Sequence, residues 1–293
     1  MACQKAKRHL LVAAVCLLLL RVSGLAEQNQ ITLPLSKDSV RFAVIGDNGT
    51  GEAPEFAIGK QLEKYRQTAG FDFVVMLGDN IYGGHRPVDF RRKFEQPFKP
   101  MLDAGVKFYA SLGNHDDPDV ERLYKPFNMS GKRYYSFNKG NVAFFAIDSN
   151  YMDPEQLRWL QAELEQSTKK WKIAFFHHPL FNAGKHHGPD LDLRSQLLPL
   201  FMKYNVNVVL SGHEHVYERL RPENGIYYFA LGNSGKLMRN DVGTSDQVER
   251  QLDTERSFMI MEVDPDTLYF EVITQEGRIV DSGAIPYLEL QSR

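Results

Sequence analysis

The chain is predicted to be an α/β (α+β) four-layer sandwich: two mixed β-sheets packed face to face, with helices on both outer sides. Three observations predict it. Up to about residue 225, short apolar runs rich in β-branched residues alternate with amphipathic segments of helical spacing. After residue 225 strand patterns follow one another directly. No Ser/Pro/Gly-rich linker, repeat or low-complexity tract divides the sequence, so the two patterns must cover each other around a shared core.

Taken in order, the expected strands of the first part are Val40–Ile45, Phe71–Leu77, Val106–Ser111, Val142–Ile147, Lys172–Phe176 and Val206–Leu210. The segments Ala53–Thr68, Pro87–Leu102, Asp153–Gln166 and Leu191–Tyr204 between them carry helical spacing. Asp153-Pro154 is a strong helix start, with an Asp cap and Pro in the first turn. The later strands are Ile226–Leu231, Phe258–Val263, Thr267–Ile273 and Arg278–Ser282, with a hairpin expected around Asp264-Pro265-Asp266.

Residues 1–26 read as a signal peptide. Lys5, Lys7, Arg8 and His9 form a basic start, Leu10 to Leu20 an apolar stretch, and Gly24-Leu25-Ala26 a small-x-small cleavage site. The apolar run falls short of the roughly 20 residues of a membrane span, so no stable span is expected after cleavage. Secretion or export to a periplasm is the implied destination. Both cysteines, Cys3 and Cys16, leave with the leader, so the mature chain has no disulfide and relies on its core. Residues 30–288 are expected to form one domain. Cleavage removes four basic residues (Lys5, Lys7, Arg8, Arg21) and no acid, taking the formal charge from -2 to -6. That balance argues against nucleic acid as the main partner.

The chemistry is carried by the histidines and by what stands beside them. Val206–Leu210 runs into Gly212-His213-Glu214-His215, which puts two imidazoles two residues apart just past a strand end, on one side of extended chain. Four other apolar runs end alike, at Gly46-Asp47-Asn48-Gly49, Gly78-Asp79-Asn80-Ile81-Tyr82, Gly113-Asn114-His115-Asp116 and His177-His178-Pro179. Ligands of open α/β sheets bind at the carboxyl ends of strands, so the five segments can converge. Imidazole, carboxylate, amide and phenol donors without a thiolate suit hard and borderline cations.

These motifs resemble those of the calcineurin-like metallophosphoesterases, and among them the purple acid phosphatases. The family pattern of Gly-Asp-x-Gly, Gly-Asp-x-x-Tyr, Gly-Asn-His-(Asp/Glu), His-x-Pro and Gly-His-x-His is present in full, along essentially the whole mature chain. The resemblance implies a metallophosphoesterase sandwich holding two metal ions. Asp47, Tyr82 and His215 would hold the first, Asn114, His177 and His213 the second, and Asp79 would bridge them. It implies that His115, His186 and His187 contact the phosphate and the leaving group. The strand-end argument alone does not choose between His177 and His178; the His-x-Pro spacing favours His177. The wider superfamily has Asp-x-His where this chain has Asp47-x-Gly49, and adds no tyrosine three residues after the bridging aspartate. A phenolate is a hard anionic donor, so Fe(III) is implied in the first site, with Fe(II), Zn or Mn in the second.

The implied activity is that of a secreted acid phosphatase, in which hydroxide attacks the phosphorus of a small phosphate monoester in line and a histidine protonates the leaving alkoxide. A phosphodiesterase on the same site is the alternative. A secreted binding or metal-sequestering module is a third reading, against which the intact set of candidate ligands stands. His85 is expected at the rim of the site, and Asp116 and Asp148 as acids that orient backbone or His115. Asn128-Met129-Ser130 is a formal glycosylation acceptor.

Overall fold

The segment Val142–Ala146 is apolar at every position because both of its faces are covered. Val142, Phe144 and Ala146 enter one core, Ala143 and Phe145 another, as the two-residue period of a strand requires. In the computed structural model, which describes residues 32–289, this strand lies inside a seven-stranded sheet facing a six-stranded one. The expected leader lies outside the described residues.

The six-stranded sheet contains β1 (Val40–Ile45), β2 (Phe73–Met76), β3 (Lys107–Ala110), β11 (Ser257–Val263), β12 (Thr267–Thr274) and β13 (Ile279–Pro286), in the order β13-β12-β11-β1-β2-β3. Strands β1, β2 and β3 are parallel, and β11 joins β1 antiparallel. The seven-stranded sheet contains β4 (Tyr135–Lys139), β5 (Val142–Ala146), β6 (Trp171–Phe176), β7 (Val208–Ser211), β8 (Tyr217–Leu220), β9 (Tyr227–Leu231) and β10 (Val248–Leu252), in the order β10-β8-β9-β7-β6-β5-β4. Here β5, β6, β7 and β9 are parallel and the rest antiparallel. Both sheets are mixed, as expected.

Aromatic rings lock the two inner faces together: Phe144 of β5 meets Phe42 of β1 at 5.1 Å and Phe73 of β2 at 5.5 Å, edge to face in both cases. Outside the six-stranded sheet, α1 (Ala53–Ala69) packs Tyr65 on Phe258 at 5.8 Å. On the other outer side lie the two helices 154–166 and 191–203, whose Leu160, Leu164, Leu193, Leu197 and Phe201 share a core with Phe145 and Phe176. Each is capped by the aspartate before it: Asp153 accepts from the Gln156 amide at 2.7 Å, and Asp190 from the Leu193 amide at 2.9 Å.

Two departures from expectation have physical causes. The single helix foreseen for Pro87–Leu102 is three pieces: α2 (Pro87–Phe90), a π-helical turn over Arg91–Glu95, and α3 (Lys99–Asp103). Pro97 and Pro100 lack the amide hydrogens a continuous helix would need. Strands β4, β8 and β10 were not foreseen. Strands β4 and β10 edge their sheet and expose polar side chains, and β8 carries Glu218 and Arg219, so none reads as an apolar run. The amide nitrogen of Asn128, the formal glycan acceptor, donates to the carbonyls of Phe108 at 2.8 Å and Pro126 at 2.9 Å. The expected hairpin is present, with Asp264 N–H on the Thr267 carbonyl at 2.8 Å.

Candidate metal centre

Every motif singled out in the sequence sits just past the carboxyl end of a parallel strand. Asp47 follows β1, Asp79 follows β2 and Asn114 follows β3, while His177 follows β6 and His213 and His215 follow β7. The site therefore spans the seam between the two sheets. It is stitched across by Asp47: its own amide reaches the Gly78 carbonyl at 3.1 Å within one sheet, and its Oδ2 accepts the His213 amide at 2.9 Å from the other. Within the six-stranded sheet, Asp79 Oδ1 accepts the His115 amide at 2.9 Å, which ties the loop after β2 to the loop after β3.

These close approaches need glycine. A Cβ on Gly113 would stand 2.2 Å from the Asp79 carboxylate, and one on Gly212 2.5 Å from that of Asp47. They also need unusual backbone. Asp47, Asp79 and His213 have φ of 53°, 52° and 71°, a region a non-glycine residue occupies at a cost.

Around the first centre, Asp47 Oδ1 is 3.1 Å from the Tyr82 hydroxyl and 3.3 Å from His215 Nε2, and the hydroxyl is 3.2 Å from that same nitrogen. Donor atoms of Asp47, Asp79 and His215 lie within 4.8 Å of one another. Around the second, His177 donates from Nδ1 to the Leu77 carbonyl at 2.9 Å, which leaves the lone pair of Nε2 pointing inward. That lone pair meets Asn114 Oδ1 at 2.9 Å, His213 Nδ1 at 3.1 Å and Asp79 Oδ1 at 3.5 Å. With Nε2 an acceptor, its approach to Asn114 Oδ1 and Asp79 Oδ1 sets acceptor against acceptor, and a cation fits between them.

The acidities follow the same logic. Burial pushes Asp47 up to about 7, against the hydrogen bond from His215 and with the help of repulsion from Asp79. Burial and then the charges of Asp47 and Asp79 push the Tyr82 phenol far above its usual range. Burial, followed by the neighbouring His177, His178 and His187, pulls His213 down to about 2. Burial also resists protonation of His215, but the hydrogen bond and charge of Asp47 outweigh it and raise its pKa. The polypeptide by itself favours a protonated acid at Asp47, an intact phenol at Tyr82 and a protonated ring at His215, while it keeps His177 and His213 neutral; a cation reverses the first three preferences and is served by the last. The residues present therefore fit a pair of metal ions.

The expected contacts to substrate stand at the mouth. His115 is exposed and its ring lies 4.9 Å from that of Tyr82. His187 is exposed and lies 4.0 Å from the His213 ring, with His186 4.3 Å further out. Three further residues were not anticipated in the site. His178 joins His177 and His213 within the same 4.8 Å group, its Nδ1 held by Ser149 Oγ at 2.9 Å, so the structure brings both histidines of the His177-His178 pair inward. Glu214 anchors the mouth loop by accepting the amides of His187 at 2.9 Å and Gly188 at 2.8 Å. Lys236 holds its ammonium 4.4 Å from the Tyr82 ring centre. The doubled histidine and the position between His213 and His215 were visible signals for the first two. Nothing near Lys236 in the sequence marked it.

A family model described as calcineurin-like phosphoesterase matches residues 40–217, which include all the candidate metal ligands. Tartrate-resistant acid phosphatase type 5 of Oryctolagus cuniculus is 30% identical over 242 residues, covering 68% of this chain and 74% of that protein. Purple acid phosphatase 17 of Arabidopsis thaliana is 28% identical over 243 residues, covering 71% and 72%. Among solved structures, the purple acid phosphatase PPD1 of yellow lupin (Lupinus luteus) superposes with a TM-score of 0.72 at 19% identity, over 87% of this chain and 55% of that one. GAP50, the anchor in the inner membrane complex of Plasmodium, superposes with a TM-score of 0.74 at 16% identity, over 87% and 91%. These two establish the fold alone.

The buried charge of Asp47 yields a test. Its carboxyl is neutral in folded and unfolded chains below about pH 4, so its contribution is fully present there and is lost as pH rises through about 7. In the metal-free protein, Asp47→Asn is expected to match the wild type near the lower pH and to be the more stable above the higher, by a few kcal/mol, while losing the first metal. Urea unfolding in chelator at both ends of that window measures it. A variant that is less stable at the alkaline end would contradict the account.

Proposed function

The chain belongs to the calcineurin-like phosphoesterase family and is a phosphoric ester hydrolase similar to the purple acid phosphatases, and we propose that it acts as an exported acid phosphatase on small phosphate monoesters. The observation that carries the reading is the phenol of Tyr82, set against Asp47 and His215 at hydrogen-bonding distance. A dinuclear phosphoesterase site without that residue has no comparable hard, anionic aromatic donor.

In this proposal Asp47, Tyr82 and His215 would hold a trivalent iron, Asn114, His177 and His213 would hold Fe(II), Zn or Mn, and Asp79 would serve both. When bound, the ions supply positive charge for the phosphoryl oxygens and acidify water enough for a nucleophile to exist in acid. The protein's own groups do the rest. The amide of Asn114 and the rings of His115 and His187 line the mouth where a phosphate would enter, and Lys236 adds a positive charge beside Tyr82. His115 is tied by its backbone amide to Asp79, while its exposed ring touches only the Tyr82 ring among the candidate ligands and would carry a proton to the leaving alkoxide. His186 and His187 share that task, on a loop that Glu214 fixes. The exposed mouth suits a small ester; a diester would need the same groups to tolerate a second substituent, which is the alternative. The leader at residues 1–26 would carry the domain of residues 30–288 out of the cytoplasm, and among the described residues no helix is long and apolar enough to cross a membrane.

Iron-loaded protein is expected to show a visible charge-transfer band, and Tyr82→Phe to fold, lose that band, hold iron more weakly and move its pH optimum upward. A band retained in Tyr82→Phe, or absent from the wild type, would return the site to a divalent phosphoesterase. His115→Ala should keep its metals while kcat falls by roughly 10²–10⁴, the range for a lost proton donor. Assayed side by side in mild acid, a monoester should be the better substrate; a faster diester would favour the alternative.

A further inference from the structure

A second cluster of metal-type donors lies behind the centre, on the far side of Asn80. One donor atom each from His85, Asp116 and Glu121 falls within 4.8 Å of the others. Glu121 is fully buried, and its Oε1 has no hydrogen-bond partner among the described residues. His85 Nε2 nonetheless approaches that oxygen to 3.0 Å. Nε2 accepts the Asp117 amide at 3.1 Å, so it presents its lone pair and has no proton to give the carboxyl. An acceptor nitrogen and a carboxyl oxygen without a donor of its own thus face each other in the protein interior, a place that either a proton on the carboxyl or a cation must fill.

The other carboxylate oxygens are held in place. Asn80 Nδ2 donates to Asp116 Oδ2 at 2.9 Å and to Glu121 Oε2 at 3.1 Å, drawing two acids together. Asp116 also accepts the amides of Gly113 at 2.8 Å and Ile81 at 3.1 Å. Among the described residues neither acid is paired with a lysine or arginine. Burial pushes both carboxyls well up, with Asp79 adding repulsion.

We propose that His85, Asp116 and Glu121 form a third metal site, distinct from the dinuclear centre, that binds zinc. One imidazole with two carboxylates is a zinc-type donor set, whereas calcium and magnesium prefer oxygen alone. Tetrahedral zinc with bonds near 2.0 Å sets neighbouring donors about 3.3 Å apart, close to the 3.0 Å between His85 Nε2 and Glu121 Oε1. The ion takes the His85 lone pair in place of the Asp117 amide. Asn80 adjoins Asp79 and Asp116 lies two residues past Asn114, so a filled third site braces the two loops that carry those donors.

The test is a zinc count on the full chain, stripped of metal, reconstituted with excess Zn(II) and desalted. Three zinc ions per chain are expected in the wild type and two in His85→Ala. Glu121→Gln, nearly the same size, should also hold two and covers the case in which His85→Ala fails to fold. Two in the wild type, or three retained in either folded variant, overturns the proposal. Asp79→Ala separates this from the dinuclear reading: it should keep the single zinc held by His85, whereas a wild-type count of one that falls to none in His85→Ala would sink the dinuclear reading and leave the third site standing.

Discussion

The structure depends on one electrostatic constraint: lone pairs and carboxylates from five strand ends are driven together at a buried seam with no protons shared between most of them. His177 Nε2 facing Asn114 Oδ1 at 2.9 Å and Asp79 Oδ1 at 3.5 Å is an arrangement a folded chain would avoid unless a cation joined the atoms, and Asp47 stands within reach of both His215 and Tyr82 as a further donor set. The fold makes the convergence possible. Parallel strands in two facing sheets bring five carboxyl ends to one place, and the aromatic contacts of Phe144 with Phe42 and Phe73 hold the sheets in that alignment.

Local conformation is bent to the same end. Two aspartates and a histidine sit at positive φ, and two glycines leave room that any side chain would fill. Such positions lower stability in isolation and persist because the packed strands on either side over-determine them. The site is thus an expense met by the core, and it turns into a gain only when cations are bound.

Much of this was legible in the sequence because the informative signals are short and local. An apolar run ending in a polar donor, in most cases after a glycine, marks a strand end, so the strands that precede Asp47, Asp79, Asn114, His177, His213 and His215 were found together with these candidate ligands. What was not legible depends on contacts between distant segments. Edge strands such as β10 show no apolar run, since one face meets water. His178 could be placed only once Ser149, from another strand end, was seen to hold its Nδ1. Lys236 and the union of His85 with Glu121 likewise arise from tertiary proximity, with no spacing rule to announce them. The broken helix after Pro87 is a different case: its prolines were visible, but apolar periodicity across them was given too much weight.

The central claim is that the seam is built for cations, and the most direct measurement is thermal unfolding of the stripped protein across a metal titration. Ligands that bind only the folded state stabilise it by about 2.7 kcal/mol at a hundred times their dissociation constant. The account predicts that Tm climbs steadily with added metal, and that the rise is largely lost in Asp79→Ala. A stripped protein whose Tm is unmoved by iron, zinc or manganese would contradict it.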